Sequence, residues 1–276
     1  SSAASDVYKR QNHLRWCLVL SGQVYKQYPT NVKEFREAIS YAIDYRTLID
    51  MIAAGYGDVP SSGYVPPAAP CYNSDLPKLK YDPERAKEIL SRAGFIDRDG
   101  DGFREAPDGS KLRIPIHPYV KQEYTVRAAE IIASQLRKVG LDVYVEVLSK
   151  EMISKKTWKD RDYYMVVGYA TPYGMLVPPG TGAPYYADMP GLYGTCNDSE
   201  LLNLLRLEMY AKSPDEVCKY AHKVQEYVAR EKPIIALIHG FALYPYRTDK
   251  WDGWVLMNGY GPCNYWTWFK LKPVGS

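Results

Sequence analysis

Long apolar runs, closely spaced cysteine pairs and catalytic signatures are all missing from this chain of 276 residues, and each absence narrows what it can be. No stretch approaches the roughly 18 consecutive apolar residues that a membrane-spanning helix requires. The longest, Ile234 to Leu243, is interrupted by His239 and Gly240 and reads as a buried strand. The five cysteines, Cys17, Cys71, Cys196, Cys218 and Cys263, stand far apart with no C-x-x-C pair. That excludes zinc-ribbon and thioredoxin-like chemistry, and the odd number leaves at least one thiol free or paired outside the chain. The four histidines, His13, His117, His222 and His239, share no metal-ligand spacing. Neither G-x-S-x-G, H-E-x-x-H, a phosphate-binding G-x-x-x-x-G-K nor a strand-turn-helix G-x-G-x-x-G occurs. A dominant charge is lacking too: Lys plus Arg total 35 against 32 Asp plus Glu, a net charge of +3 with no long basic block, so nothing calls for a nucleic-acid partner. Phenylalanine is scarce, at five, beside 26 tyrosines and six tryptophans. Aromatics with polar tips suit a wet cleft or an interface better than a dry core.

The length admits one large domain plus part of another. With neither an initiator methionine nor a signal peptide, the chain is expected to be a fragment, and residues 1–11, "SSAASDVYKRQ", are expected to be a non-native leader. The remainder alternates between helical and strand patterns. Asn31 and Glu34 suggest a helix start, with Val32, Phe35, Ile39, Ala42 and Ile43 at helical spacing; Arg46 to Ala54 continues as a second helix stopped by Gly55. A loop rich in Pro, Ser and Gly spans Gly57 to Pro77, and its Tyr64 and Tyr72 read as surface packing. Asp82 then caps a helix with Pro83 at its first position and Ala86, Ile89, Leu90 and Ala93 inward, ended by Gly94.

Leu112, Ile114 and Ile116 alternate with Arg113, Pro115 and His117 as in a half-buried strand, and Pro115 predicts an edge or a bulge. A helix from Tyr124 to Val139, with Val126, Ala129, Ile132, Ala133 and Leu136 inward, leads to a second alternating segment, Leu141 to Val147. Strand, helix, strand implies a parallel βαβ unit. Arg161 to Tyr169 reads as a further strand, followed by a long loop, Ala170 to Thr195, dense in Tyr, Pro and Gly. Loops of that length in a compact domain are functional or disordered, and the aromatics favour function. Asn197 or Asp198 opens one helix, Ser213-Pro214-Asp215-Glu216 opens another, and Pro233 to Tyr246 returns as a strand.

Two segments carry a family resemblance. "YDPERAKEILSRAGFIDRDGDGFREAPDG", Tyr81 to Gly109, and "FREAISYAIDYRTLIDMIAAGYG", Phe35 to Gly57, resemble successive signatures of the extracytoplasmic solute-binding proteins of ABC importers, in the dipeptide/oligopeptide/nickel-binding family. The resemblance runs from about Trp16 onward and covers the second half of such a protein. It implies an α/β fold: a type II periplasmic-binding-protein lobe with a mixed sheet flanked by helices, plus hinge strands and a tail that belong to a second, missing lobe. On that reading residues 12–30 are the first inter-lobe crossing, 31–232 the C-terminal lobe, and 233–276 the return strand and tail. The implied function is capture of a peptide or other small solute between two lobes, outside the cytoplasm, and delivery to a permease. The protein would not be an enzyme, and would touch the membrane only through a lipid or protein anchor in the missing N-terminal part.

The cleft residues expected on this lobe are Tyr169, Tyr173, Tyr185, Tyr186 and Tyr193 from the strand and loop, with His239, Phe241 and Tyr244 on the returning strand. For His239 a buried, satisfied imidazole is the first reading, and a cleft contact the second. Peptide-binding relatives carry Gly-Trp-x-x-Asp here, the Asp pairing with the peptide's α-amino group. This chain has Tyr169 for the Trp and Pro172 for the acid, so sugars, aromatic compounds and metal chelates gain weight as solutes. The tail aromatics Tyr265, Trp266, Trp268 and Phe269 are expected to be exposed, since the lobe that would cover them is absent.

Asp97, Asp99 and Asp101, with Gly102 next and Asp108 at the twelfth position, match the opening of a calcium loop; the strand pattern after it excludes an EF-hand. A structural turn is the first reading there, and calcium the second. A carbohydrate-active enzyme or accessory carbohydrate-binding domain is the alternative function, but it needs two carboxylates facing each other about 5–9.5 Å apart. The tyrosine-rich loop offers only Asp188.

Overall fold

A computed structural model describes residues 6–22, 28–67, 69–119, 123–170, 198–257 and 261–275. Its centre is a mixed sheet of six strands. In chain order the elements are β1 (Asp6–Gly22), α1 (Lys33–Ala42), α2 (Tyr45–Ala53), β2 (Gly57–Asp58), α3 (Pro83–Arg92), β3 (Ile114–Pro118), α4 (Glu123–Lys138), β4 (Val143–Val145), α5 (Lys150–Ser154), a π-helical turn at Lys155–Asp160, and β5 (Met165–Ala170). Then come α6 (Ser199–Met209), α7 (Pro214–Glu231), β6 (Ile234–Tyr246), β7 (Trp251–Asp252), α8 (Tyr265–Lys270) and β8 (Lys272–Pro273). The sheet order is β2-β6-β1-β5-β3-β4. β1 is antiparallel to both its neighbours, whereas β3 pairs parallel with β5 and with β4. The expected βαβ unit is therefore present as β3-α4-β4.

Local chemistry sets the helix ends. The Asp82 carboxylate accepts from the Arg85 N–H and Pro83 occupies the first turn of α3, where no N–H is needed. Asp44 caps α2, Asp198 caps α6 and Ser213 caps α7 by the same device. Gly94, at φ 86°, lets the Phe95 N–H turn back to the Leu90 carbonyl and close α3.

The larger core joins Phe35, Leu48 and Ile49 from the first two helices, Leu90 from α3, Ile132 and Leu136 from α4, and Ile114, Ile116, Val143 and Val167 from the strands. A second core lies on β6: Ile234 and Ala236 pack with Leu201 and Leu205 of α6, Val224 and Tyr227 of α7, and Tyr64 and Val65 of the loop after β2. A disulfide, Cys71–Cys218, ties that loop to α7. Among the described residues Cys263 is a free, exposed thiol.

Some expectations change. Asn31 is not the cap of α1; Val32 holds that position without a side-chain hydrogen bond. On α4, Thr125 and Ala128 are buried while Val126 is only half-buried, so the inward face is rotated slightly from the expected one. Pro115 is not on an edge, because β3 runs between β5 and β4. Its missing N–H is tolerated for a local reason. Ile114 donates to Asp142 and the Ile116 carbonyl accepts from Glu146, both on the β4 side, so Pro115 faces the β5 side, where pairing starts only at Ile116–Met165. The strand expected from Arg161 begins at Met165, since Arg161 caps the π-helical turn at φ 52°. β1 starts at Asp6, well before Trp16, with Asp6 to Lys9 opposite Tyr246 to Leu243.

Candidate functional site

The segment that enters the lobe and the segment that leaves it are neighbouring strands. β1 pairs with β6 from Asp6–Tyr246 to Ser21–Ile234, whereas among the described residues β5 joins β1 only from Cys17 to Gly22 and β2 joins β6 only at Gly240 and His239. Beyond those contacts β1 and β6 run on together as a two-stranded ribbon. The register brings two of the expected site positions to the base of that ribbon. Ala170, Cys17 and His239 form one row across β5, β1 and β6, and Tyr169, Leu18 and Ile238 form the next.

On β6 the three expected residues differ in setting. The His239 ring is only 2% exposed and its Nε2 lies 3.0 Å from the Tyr64 carbonyl, while Nδ1 is buried with no hydrogen-bond partner among the described residues. Burial pushes its pKa down to about 4, the Tyr64 contact opposing this and the positive Lys78 reinforcing it. The imidazole is therefore neutral and turned into the lobe, beneath the loop after β2. Phe241 is 7% exposed, and its N–H donates to the Tyr56 carbonyl. Tyr244 is half-buried, its ring lying so close over Gly261 that a Cβ there would sit 2.3 Å from it. The side chain of Tyr169, and all of Tyr173, Tyr185, Tyr186 and Tyr193, lie outside the described residues. Tyr64, expected as surface packing, is instead 1% exposed and holds His239. The Ser61-Ser62-Gly63 turn before it is the one local signal.

Past the ribbon, residues 247–257 and 261–275 form a small aromatic unit with the β7-β8 pair. The Tyr246 and Trp254 rings sit 5.0 Å apart, and Asn264 caps α8. The expected exposed face is present on α8: Tyr265, Trp266, Trp268 and Phe269 are 65%, 55%, 72% and 68% exposed.

The acidic loop holds itself. Asp97 accepts from the Gly100 and Gly102 N–H groups, Asp99 from Asp101, and Asp101 from Phe103. The fourth carboxylate of the cluster is Glu105 rather than Asp108: the ligand atoms of Asp97, Asp99, Asp101 and Glu105 lie within 4.8 Å of one another. Asp108 instead accepts from the Ser110 N–H and hydroxyl, because its two-residue spacing to Ser110 closes a separate turn. The Lys111 ammonium sits 2.6 Å from Asp99 and 2.9 Å from Asp101, supplying positive charge to the cluster. Glu105 is buried and accepts from the Arg98 N–H at 2.7 Å.

This mixed sheet, entered and left on adjacent strands, is the architecture of a lobe of a periplasmic-type binding protein. HbpA2 from Haemophilus parasuis superposes with a TM-score of 0.80 at 20% identity, over 97% of this chain and 50% of that one. The oligopeptide-binding protein AppA from Bacillus subtilis, solved with a nonapeptide, gives 0.74 at 18% identity, over 98% and 52%. In sequence, the nickel-binding periplasmic protein of Escherichia coli (strain K12) is 35% identical over 115 residues, 42% of this chain and 22% of that protein. The chain spans about half the length of the solved structures it matches. Residues 7–188 match the family model described as bacterial extracellular solute-binding proteins, family 5 Middle. The chain belongs to that family.

Proposed function

We propose that this chain is the C-terminal lobe, with both hinge strands and the tail, of a solute-binding protein that serves an ABC importer outside the cytoplasm. The observation that carries the reading is the β1–β6 ribbon. A body attached at its far end can close over this lobe by bending one pair of strands, which is hinge closure around a ligand. The exposed aromatic face of α8 supports it, since apolar patches rimmed by polar groups mark surfaces that another body covers. The Cys71–Cys218 disulfide suits an oxidising, extracytoplasmic compartment. Binding and release make and break no bond, so the protein is a carrier rather than an enzyme.

Relatives in sequence include nickel-, oligopeptide- and heme-binding proteins, the last from Haemophilus influenzae, so proteins of this family serve chemically different solutes. For this chain we place the solute among sugars, aromatic compounds and metal chelates. Pro172 stands where a carboxylate would be needed to pair a peptide's ammonium, and the surrounding segment is rich in tyrosine. The test is a thermal-shift screen of the two-lobed parent protein against peptides, oligosaccharides and nickel chelates, because a ligand that binds only the folded state raises its Tm. Shifts with sugars or chelates and none with peptides are expected. A clear shift with dipeptides would overturn the solute class, and no shift with any class would count against a carrier of these solutes.

A further inference from the structure

We propose that a small pocket on the flank of this lobe, between the end of α1, the loop after β2 and the residue that follows α7, binds a small oxyanion through three lysines. The pocket encloses about 160 Å³ and is bordered by Lys78, Lys80 and Lys232, with Ser40, Tyr41 and Ser62 as hydroxyl-bearing neighbours. Among the described residues no carboxylate lines it. Ligand pockets for drug-sized molecules run to about 300–1,000 Å³, so this volume suits a compact ion rather than an extended solute.

Three features hold the pocket open and positively charged. Its rim is fixed by backbone pairing: the Ser62 N–H donates to Pro77, the Leu79 N–H to Pro60, and the Asp82 N–H to Tyr41 at the end of α1. Lys232 is anchored. It adopts φ 49° as the C-cap of α7, and its ammonium donates to the Ala229 carbonyl at 2.9 Å. Burial lowers its pKa, Glu37 opposing this and Lys33 adding to it, so the charge is held at a cost that a bound anion would offset. The Lys78 charge also reaches the buried His239 ring, where it favours the neutral imidazole. The Ser62 hydroxyl is buried without a hydrogen-bond partner among the described residues, and it borders this space. Lysine is a point-charge binder of phosphate-type oxygens and needs no bidentate geometry.

The oxyanion has two sources, a free ion such as phosphate or the phosphate of an anionic lipid headgroup. Isothermal titration calorimetry of the full chain with inorganic phosphate, at constant ionic strength in chloride, tests the first. Co-sedimentation with phosphatidylglycerol vesicles tests the second. Saturable phosphate binding, weakened at least tenfold in Lys232→Gln and in the Lys78→Gln/Lys80→Gln variant, is the expected result. Vesicle binding lost in the same variants, without phosphate binding, would assign the lipid source. Because Lys232 caps a helix, the melting curve of each variant is taken without phosphate, and the Lys78/Lys80 pair keeps the test independent of that cap. Phosphate heats equal to chloride with no vesicle binding, or binding unchanged in both variants, would overturn the proposal.

Discussion

Removing the Cys71–Cys218 disulfide by a double substitution to serine should destabilise the lobe without changing its fold. The bridge joins residues separated by 147 positions, so the loop it closes in the unfolded chain is long. Chain-entropy arithmetic for such a loop gives about 5 kcal/mol at 25 °C as a ceiling, while native bridges typically deliver about 2–4 kcal/mol. The native state keeps its own ties at this place: Gln225 accepts from the Asn73 N–H at 2.9 Å and donates to the Cys71 carbonyl at 2.7 Å, both independent of sulfur. The loss is therefore expected to act mainly through the unfolded state, at about 3 kcal/mol. At roughly 2–4 °C per kcal/mol for a domain of this general size, Tm should fall by about 6–12 °C. The assay is calorimetric or circular-dichroism melting of the parent and the Cys71→Ser/Cys218→Ser variant, with and without reductant. Reductant should lower the parent Tm towards the variant's and leave the variant unmoved. A variant melting within about 1 °C of the parent, or more reactive thiol in the denatured, unreduced parent than in the variant, would refute the reasoning.

Two more outcomes rest on buried and clustered charge. His239 has a folded pKa of about 4 against roughly 6.5 when unfolded, so only the unfolded chain takes up a proton between those values. Its contribution is complete above about pH 6.5 and is lost as pH falls towards 4. His239→Gln should flatten the Tm-against-pH curve in that window, and an unchanged slope would sink the assignment. At the acidic loop, Lys111 neutralises Asp99 and Asp101, and a divalent cation has to displace it. Terbium luminescence should accordingly be weak for the parent and stronger for Lys111→Ala; equal signals would mean that the amine does not occupy the carboxylates.

Much of the fold is legible locally, because helix caps and apolar spacing act over a few residues. Asp82, Pro83 and Gly94 bound α3 as their chemistry demands, and Ile114 and Val143 mark strands joined through α4. Pro115 misleads because edge or interior position depends on which strands lie alongside, and its tolerance depends on where β5 begins. The site is less legible. His239 stands out for interrupting an apolar strand, yet what decides its character is the Tyr64 carbonyl, 175 residues away in sequence. Glu105 escapes the calcium-loop spacing because it reaches the cluster through an antiparallel bridge between Ile96 and Glu105, not through a fixed count along the loop.

By itself the sequence determined what near neighbours can settle: the caps, the periodicities, the self-bonded acidic turn, and signatures specific enough to point to the family. Only the tertiary structure decided which strands are neighbours, that chain entry and exit share one ribbon, that Cys71 meets Cys218, and that Lys78, Lys80 and Lys232 border one pocket. The physical reason is that strand pairing, disulfide geometry and pocket formation depend on contacts between residues remote in the chain. Local propensity carries no information about which of many apolar strands will lie beside which.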